Sequence, residues 1–324
     1  LKDSYILPNR RKQWETRRKR HFNVDEREAV QLISAFHPAL LDELSGLADA
    51  LGWTRKDALI EFGGYYVDYT RSGCSILSGT NFMVRNYDSH PASYEGRFLV
   101  YQPTDDGYAV IGPSMQITGR TDGMNEKGLA MGYNFVNRIG SGDGFVCSVI
   151  GRIILETCAT VEEAIAVLKE IPHRTTFSYL LIDIDHEPVV VEASPRNVIA
   201  RKSTISTNHF EMLTEENRYR MDDSIRRQQV MQGQSNDDSD VYAAFRLLND
   251  TDKQVFSTKY GASSGTLHTS VYIPKEGKAW FAIGGDRMPV IFDFNRFLQG
   301  EKISIKRIKG VLDYHTPFIH MIEM

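Results

Sequence analysis

The chain has 324 residues, of which 41% are hydrophobic and 25% charged, and this composition predicts a soluble globular protein with one large domain or two ordinary ones. Its formal net charge of −4 gives no overall signal for nucleic-acid binding. No run approaches the roughly 18 consecutive apolar residues that a membrane span requires, so no membrane partner is expected.

Cysteine usage and the first residues favour a reducing compartment. The three cysteines are Cys74, Cys147 and Cys158, which are too few for a disulfide framework. The first residues have no apolar stretch of the kind found in secretory signals, so a cytoplasmic location is expected. Neither a paired Cys/His spacing nor a glycine-rich phosphate loop is present, so no metal and no cofactor are expected.

The N-terminal part is basic and then helical. Residues 1–21 contain two clusters of lysine and arginine, which could contact a polyanion or form a solvated arm on the protein's own acidic surface. Residues 25–62 show helical apolar spacing, with Gly52 at a C-terminal cap. Thr54 and Asp57 form a capping-box pattern that opens a further helix.

Beyond residue 73 the pattern changes to short strand-like runs separated by turn signals. The runs are 74–78, 81–85, 97–102, 108–112, 128–135, 178–183, 188–192, 198–202, 268–273 and 279–283. A helical block over 149–171 and a helix over 240–248 interrupt them. Hairpins on either side of helices predict an α+β protein with two stacked sheets and helices outside.

The junction between Gly73 and Cys74 is the strongest chemical signal in the chain. The runs that begin at Cys74 and end at Arg85 form a predicted hairpin, which holds the thiol near Arg85 and the carboxylate of Asp88. A thiol in a strained turn can attack the preceding carbonyl, and glycine makes that carbonyl approachable. Cleavage would free an α-amine with a reference pKa of about 7.7–8.0, close to about 8.5 for the thiol, so one residue supplies nucleophile and base. On the dipeptide alone, a small buried hydrophobic cysteine is the alternative.

Four motifs follow one another along the chain. They are Gly73-Cys74-Ser75, Arg85-Asn86-Tyr87-Asp88, the segment 122–135 and the segment 206–210. In this order they resemble N-terminal-nucleophile (Ntn) hydrolases of the choloylglycine hydrolase and penicillin V acylase type, and most closely the propeptide-bearing branch that contains acyl-CoA:6-aminopenicillanic acid acyltransferase. The resemblance implies a four-layer αββα sandwich, with residues 1–73 as a basic arm and helical propeptide and 74–324 as the catalytic domain.

The resemblance also implies a role for each matching residue. Cys74 is the expected nucleophile and, after cleavage, the base; Asp88 is expected to orient its amine, and Arg85 to stabilise the thiolate. The side-chain amide of Asn208 and the main-chain N–H of Asn134 are the expected donors to the oxyanion. Each of the last four also has an ordinary structural interpretation, as a turn cap, an ion pair or an edge residue.

Candidate substrate contacts are less defined. Arg227 is the candidate for a basic position that this branch carries after the Asn208 motif. The aromatic residues near the motifs are equally suited to an acyl pocket and to the core; they are Tyr65, Tyr66, Tyr69, Tyr87, Tyr133 and Phe135.

The resemblance implies an autoproteolytic enzyme acting on a small N-acyl amide, with an α chain (1–73) and a β chain (74–324) that stay together as a heterodimer. Hydrolysis is the first expectation, because nothing in the sequence shows a second acceptor pocket. Transfer of the acyl group to an amine, with acyl-CoA as a donor, is the alternative. An uncleaved member that binds a ligand or a polyanion is the rival from another class, and further homo-oligomerisation is left open.

Overall fold

The computed structural model describes residues 25–65, 73–104, 106–136, 141–218, 221–234 and 240–319. The predicted basic arm lies outside the described residues, as do Tyr66 and Tyr69. The helices are α1 (Glu26–Phe36), α2 (Ala39–Leu51), α3 (Arg55–Phe62), α4 (Cys147–Thr157), α5 (Val161–Glu170), α6 (Asp222–Gln234), α7 (Val241–Asn249) and α8 (Phe294–Leu298). Across these described ranges, no helix has the length and apolar character needed to cross a bilayer.

The strands form two antiparallel sheets. The strands are β1 (Cys74–Ser78), β2 (Met83–Ser89), β3 (Phe98–Tyr101), β4 (Val110–Met115), β5 (Gly119–Arg120), β6 (Asp122–Asn125), β7 (Ala130–Phe135), β8 (Phe177–Ile182), β9 (Val189–Ala193), β10 (Val198–Lys202), β11 (Ile205–Ser206), β12 (Thr258–Lys259), β13 (Ser264–Ile273), β14 (Lys278–Ile283) and β15 (Val290–Asp293). The first sheet has the order β11-β1-β2-β13-β14-β15, with β12 beside β13. The second has the order β10-β9-β8-β7-β6-β4-β3, with β5 beside β4.

Successive residues of a strand point to opposite faces, and both faces of both sheets are covered. On β1, Ile76 packs into the core between the sheets, while Leu77 packs under helices α6 and α7. On β7, Ala130 faces the core between the sheets and Met131 the layer that contains α4 and α5. The molecule therefore has helices, sheet, sheet and helices in that order, and the predicted four-layer αββα architecture is confirmed.

Helices α1 to α3 pack with α4 and α5 on the outer face of the second sheet. Their buried residues Ile33, Leu40 and Leu44 belong to the same hydrophobic cluster as β7 and β8. Helix α2 ends at Gly52 in the left-handed region, and α3 begins with the predicted capping box from Thr54. The N-terminal helices thus share a hydrophobic core with α4, α5 and the second sheet, and the domain boundary at residue 73 stays a prediction.

Candidate active site

The hairpin of β1 and β2 places Cys74 beside its predicted partners. Its register pairs Cys74 with Tyr87 and Ile76 with Arg85. Paired residues of antiparallel strands project from the same face of a sheet, so Cys74 and Arg85 share the face on which Ile76 enters the core between the sheets. The predicted hairpin is confirmed, and the second strand is longer than predicted.

Two N–H donors point at the sulfur of Cys74. Arg85 Nη2 lies 3.6 Å from Cys74 Sγ, and the main-chain nitrogen of Asp88 lies 3.4 Å from it. One donor is cationic and the other is a fixed backbone dipole, and both favour a thiolate over a thiol. The arrangement can therefore hold a reactive sulfur anion.

The guanidinium of Arg85 is fully buried and fixed from several sides. Nη1 donates to Asp122 Oδ1 at 2.7 Å, and Nη2 also donates to the main-chain oxygen of Tyr133 at 2.6 Å. It lies over the rings of Tyr87 and Tyr133, at 5.0 and 5.2 Å from their centroids. Gly132 leaves the necessary room, because a Cβ there would lie 2.8 Å from Arg85 Cδ.

The carboxyl group of Asp88 is buried at the junction between Gly73 and Cys74. A Cβ added to Gly73 would lie 3.5 Å from Asp88 Oδ2, while Asp88 Oδ1 accepts from Thr266 Oγ1 at 2.7 Å. Burial raises the pKa of Asp88 to about 8, although Arg227, Thr266 and Arg85 oppose the shift. The group is therefore largely protonated near neutral pH while Cys74 keeps an uncharged peptide nitrogen.

Asn208 contacts the main chain of Cys74. Its Oδ1 accepts from the nitrogen of Cys74 at 2.8 Å and from Arg227 Nη2 at 2.8 Å. Its Nδ2 donates to the main-chain oxygen of Phe135 at 2.7 Å. The amide is thus oriented by two donors and one acceptor next to Cys74, and its donation to an oxyanion stays a prediction.

Asn134 lies on β7, which pairs with β6, the strand that carries Asp122. Its Nδ2 donates to the main-chain oxygen and the hydroxyl of Ser206, at 2.9 and 3.1 Å. Ser206 belongs to β11, which pairs with β1, so this side chain joins the two sheets close to Cys74. The predicted role of the Asn134 N–H at an oxyanion is untested.

Arg227 donates hydrogen bonds to other groups of the protein. It donates from Nη1 to the oxygen of Cys74 and to Ser75 Oγ, both at 2.6 Å, and from Nε to Asp223 Oδ2 at 2.9 Å. It is buried, and with its bond to Asn208 it holds the backbone of Cys74. Its use as a substrate contact stays a prediction.

The aromatic candidates occupy the core around the site. Tyr87 belongs to the cluster that contains Cys74 and stacks on His268, with ring centroids 5.1 Å apart. Tyr133 packs edge-on against Phe177, and Phe135 does so as well. Their use as substrate contacts stays a prediction.

The C-terminal segment packs on the cluster of buried residues around Cys74. Leu312, Tyr314 and Phe318 pack on the cluster that contains Cys74, and the side chain of Cys74 is 1% exposed. The ring of Phe318 meets Tyr94 edge-on at 5.0 Å. A substrate can reach the sulfur only when covering side chains move.

The sequence matches a known protein family over most of its length. The model of the acyl-coenzyme A:6-aminopenicillanic acid acyl-transferase family matches residues 77–288, which is more than half of the chain. The chain belongs to this family. Among curated proteins, none matches the chain significantly.

Solved structures with a similar fold include three amide-hydrolysing enzymes. Conjugated bile acid hydrolase from Clostridium perfringens (variant R18L) has a TM-score of 0.52 at 17% identity, over 77% of this chain and all of that one. Penicillin V acylase from Agrobacterium tumefaciens has a TM-score of 0.44 at 17% identity, over 68% and 84%. The Caenorhabditis elegans ortholog of N-acylethanolamine-hydrolyzing acid amidase has 0.44 at 13%, over 62% and 92%. The first likeness supports the Ntn-hydrolase sandwich.

Sequence reasoning assigned no role to Asp122, although the residue opens one of the motifs that carry the family likeness. Its carboxylate also accepts from Ser270 Oγ at 2.5 Å and from Tyr272 OH at 2.8 Å. An aspartate at the start of a buried strand, followed by a glycine, was the available signal in the sequence. The partners on β13 are more than 140 residues away along the chain, with separations of 148 and 150.

One group of side chains in the described part of the chain has metal-ligand character: Glu162, Asp183 and His186. The carboxylate of Asp183 already accepts from the main-chain nitrogens of Val161 and His186, both at 2.8 Å. His186 Nε2 pairs with Glu162 at 2.9 Å. The cluster is accounted for as a cap and an ion pair, and the expected absence of a metal stays a prediction.

Proposed function

We propose that the chain is a self-cleaving amidase, which cuts its own Gly73–Cys74 bond and then hydrolyses a linear N-acyl amide through a thioester on Cys74. The observation that carries the proposal is the setting of Cys74. Its sulfur accepts hydrogen bonds from Arg85 Nη2 and from the main-chain N–H of Asp88. Its main-chain nitrogen donates to Asn208 Oδ1. Family membership supports acyl chemistry at this site.

Self-cleavage uses the thiol as its own chain's nucleophile. Cys74 Sγ attacks the carbonyl carbon of Gly73, the C–N bond breaks, and the nitrogen of Cys74 gains a proton to become an amine. Water then hydrolyses the thioester, which leaves a carboxylate on Gly73 and restores the thiol. The protonated carboxyl of Asp88 beside Gly73 suits this stage, because it adds no negative charge to a buried tetrahedral intermediate.

The mature site then acts on a second amide. The free amine takes the thiol proton, the thiolate attacks the substrate carbonyl, and the leaving amine departs with that proton. Water next attacks the acyl thioester, releasing a carboxylic acid and restoring the thiol and the amine. The reference pKa values of amine and thiol differ by only about half a unit to one unit, so this proton transfer costs little free energy.

Acyl transfer is the second candidate, and the matched family favours it. The same thioester would pass its acyl group to an amine instead of water, with an acyl-CoA as one source of the acyl group. Added amine acceptors separate the two: an acylated amine among the products identifies transfer, and free acid alone identifies hydrolysis.

Cleavage would leave an α chain of residues 1–73 and a β chain of residues 74–324, which we place together as a heterodimer. Contacts across the junction support this, because α1 to α3 share one core with α4 and β8. The three cysteines are free, which supports a reducing cytoplasm.

The test is the intact mass of the purified protein. One fragment that ends at Gly73 and a second that begins at Cys74 are expected. The Cys74→Ala variant should remain a single full-length species. A panel of N-acyl amides of increasing acyl length then identifies the substrate by amine release. A full-length wild-type chain that hydrolyses amides would refute the mechanism. A full-length chain without activity, whose binding to a polyanion weakens with salt, would support the non-catalytic rival.

A further inference from the structure

We propose that Asp122 is a positioning residue for the nucleophile, which holds Arg85 so that Nη2 stays on the sulfur of Cys74. The inference rests on the proposed function, because it assigns a role within the same site. It concerns a residue on the second sheet, whereas Cys74 and Arg85 are on the first.

Two successive contacts connect the Asp122 carboxylate to the Cys74 sulfur through the Arg85 guanidinium. Asp122 Oδ1 accepts from Arg85 Nη1 at 2.7 Å, and Arg85 Nη2 lies 3.6 Å from Cys74 Sγ. The two guanidinium nitrogens belong to one rigid plane, so fixing Nη1 also fixes the direction of Nη2. Asp122 therefore reaches the sulfur through Arg85.

The carboxylate is itself held by hydroxyl groups from both sheets. Thr121 Oγ1 donates to Oδ1 at 2.6 Å, and Ser270 Oγ and Tyr272 OH donate to Oδ2 at 2.5 and 2.8 Å. His268 Nε2 lies 3.8 Å from Oδ1. These contacts and Arg85 hold the pKa of Asp122 well below its usual range despite complete burial, so the anchor stays ionised.

A purely structural ion pair would explain the bond between Arg85 and Asp122. It would not explain why the guanidinium is oriented with Nη2 towards Cys74 Sγ. The pair could neutralise itself anywhere between the sheets, and buried pairs are often neutral for stability compared with apolar residues. Here Gly132 clears the path of the Arg85 side chain, and the rings of Tyr87 and Tyr133 flank it. These features keep one orientation, the one that faces Cys74.

A double-mutant cycle on the rate of self-cleavage tests the inference. The full chain is purified as wild type, Asp122→Asn, Arg85→Met and the Arg85→Met/Asp122→Asn double variant, and cleavage is followed by intact mass. Asp122→Asn should slow cleavage at least tenfold, and in the Arg85→Met background it should have no further effect. A loss that is equal in both backgrounds, or no loss, overturns the inference.

Glu156→Gln is the matched control, because Glu156 is also a buried carboxylate paired with arginines, Arg120 and Arg152. It should lower the melting temperature and leave the cleavage rate within twofold of wild type. A tenfold loss in this control would show that any buried ion pair matters equally, and would overturn the inference.

Gly132→Ala is the second variant, in case Asp122→Asn does not fold. It crowds Arg85 Cδ without changing any charge, so it should slow cleavage and should not do so in the Arg85→Met background. If folded Gly132→Ala cleaves at the wild-type rate, the orientation of Arg85 does not limit cleavage, and the inference is overturned.

The failure of the proposed function is distinguishable from the failure of this inference. A wild-type chain that stays full length refutes self-cleavage, and the same cycle is then read from alkylation of Cys74 by iodoacetamide, located by peptide mass spectrometry. An Asp122→Asn effect on alkylation that vanishes in the Arg85→Met background supports the positioning role. An effect that persists there overturns it.

Discussion

At the scale of single residues, three kinds of group surround the sulfur of Cys74. Arg85 brings a charge, the N–H of Asp88 brings a fixed dipole, and Asn208 and Arg227 hold the main chain on either side of the Cys74 Cα. The sulfur therefore has little freedom to leave its donors. A preorganised setting of this kind lowers the reorganisation that an attack on a carbonyl would otherwise require.

The pKa of Asp88 predicts a pH-dependent stability. An unfolded aspartate titrates near 3.9, whereas the folded group titrates at about 8. Between these values the folded chain holds a proton that the unfolded chain has lost, so stability falls as pH rises. In a Cys74→Ala background, which keeps the chain uncleaved, Asp88→Asn should remove this fall.

The measurement is the melting temperature of Cys74→Ala with and without Asp88→Asn between pH 5 and pH 8. The variant that keeps Asp88 should lose several degrees relative to its partner over this range. Curves that stay parallel would show that the folded carboxyl ionises at an ordinary pH.

Sequence distance explains which contacts of the site follow from local pattern, whereas Asn134, Asn208 and Arg227 became candidates only through the family resemblance. Cys74, Arg85 and Asp88 lie on one hairpin, so their proximity follows from a turn and a period of two. The contacts of Asp122 and Arg227 join residues 37 and 153 positions apart, and depend on how two sheets stack and how α6 docks. Local pattern contains no information on those distances.

At the scale of elements, one glycine brings the N-terminal helices against the start of α4. Gly64 has φ of 70°, and its main-chain oxygen accepts from the nitrogen of Val146 at 2.9 Å. The next residue, Tyr65, bridges to Phe145 and packs against its ring. The segment that follows α3 thus packs against the start of α4 through a contact with no room for a side chain.

Gly64→Ala should destabilise the protein by roughly 2–4 kcal/mol, because alanine is strained at this φ and overpacks a closed contact. Its Cβ would lie 2.3 Å from Val149 Cγ2. Gly46→Ala is the control, since nothing lies within 4 Å of its added Cβ on helix α2. That substitution should stabilise by up to about 1 kcal/mol. Chemical unfolding of both variants checks the pair, and equal effects would contradict the assignment.

Element types were easier to predict than the helix that positions Arg227. The hairpins and the capped helices were confirmed because turn residues and caps act within a few positions. Helix α6 was not predicted, since it is largely polar and buries few residues, among them Arg227 and Met231. Its position is explained by tertiary hydrogen bonds and not by an apolar stripe.

At the scale of the whole molecule, a buried ion network joins the two sides of the proposed cleavage site. Glu156 accepts from Arg120 at 2.8 Å and from Arg152 at 2.9 Å, and pairs with His37 of the N-terminal part at 2.8 Å. Arg152 also pairs with Glu43 on α2. The network and the shared core give the N-terminal helices a firm attachment that does not depend on the peptide bond.

Glu156→Gln should cost about 3–5 kcal/mol near neutral pH, because it leaves two buried guanidinium groups without a full counter-charge. The pKa of Glu156 is lowered to about 2, chiefly by Arg120 and Arg152 against the cost of burial. Its stabilisation is therefore present above about 4.3 and lost as pH falls towards 2. Unfolding of wild type and variant should differ most at pH 6 and converge towards pH 3. A difference independent of pH would show that the charge is not the cause.

The C-terminal tail over Cys74 has a consequence for the fate of a bound acyl group. The proposed thioester would form in a site that is nearly closed to solvent, beside the cluster on which Leu312, Tyr314 and Phe318 pack. Its lifetime would then depend on how readily water and amines enter past the residues of this cluster. In the proposed reaction, the balance between hydrolysis and acyl transfer would thus depend on access to the sulfur as much as on the reactivity of the sulfur.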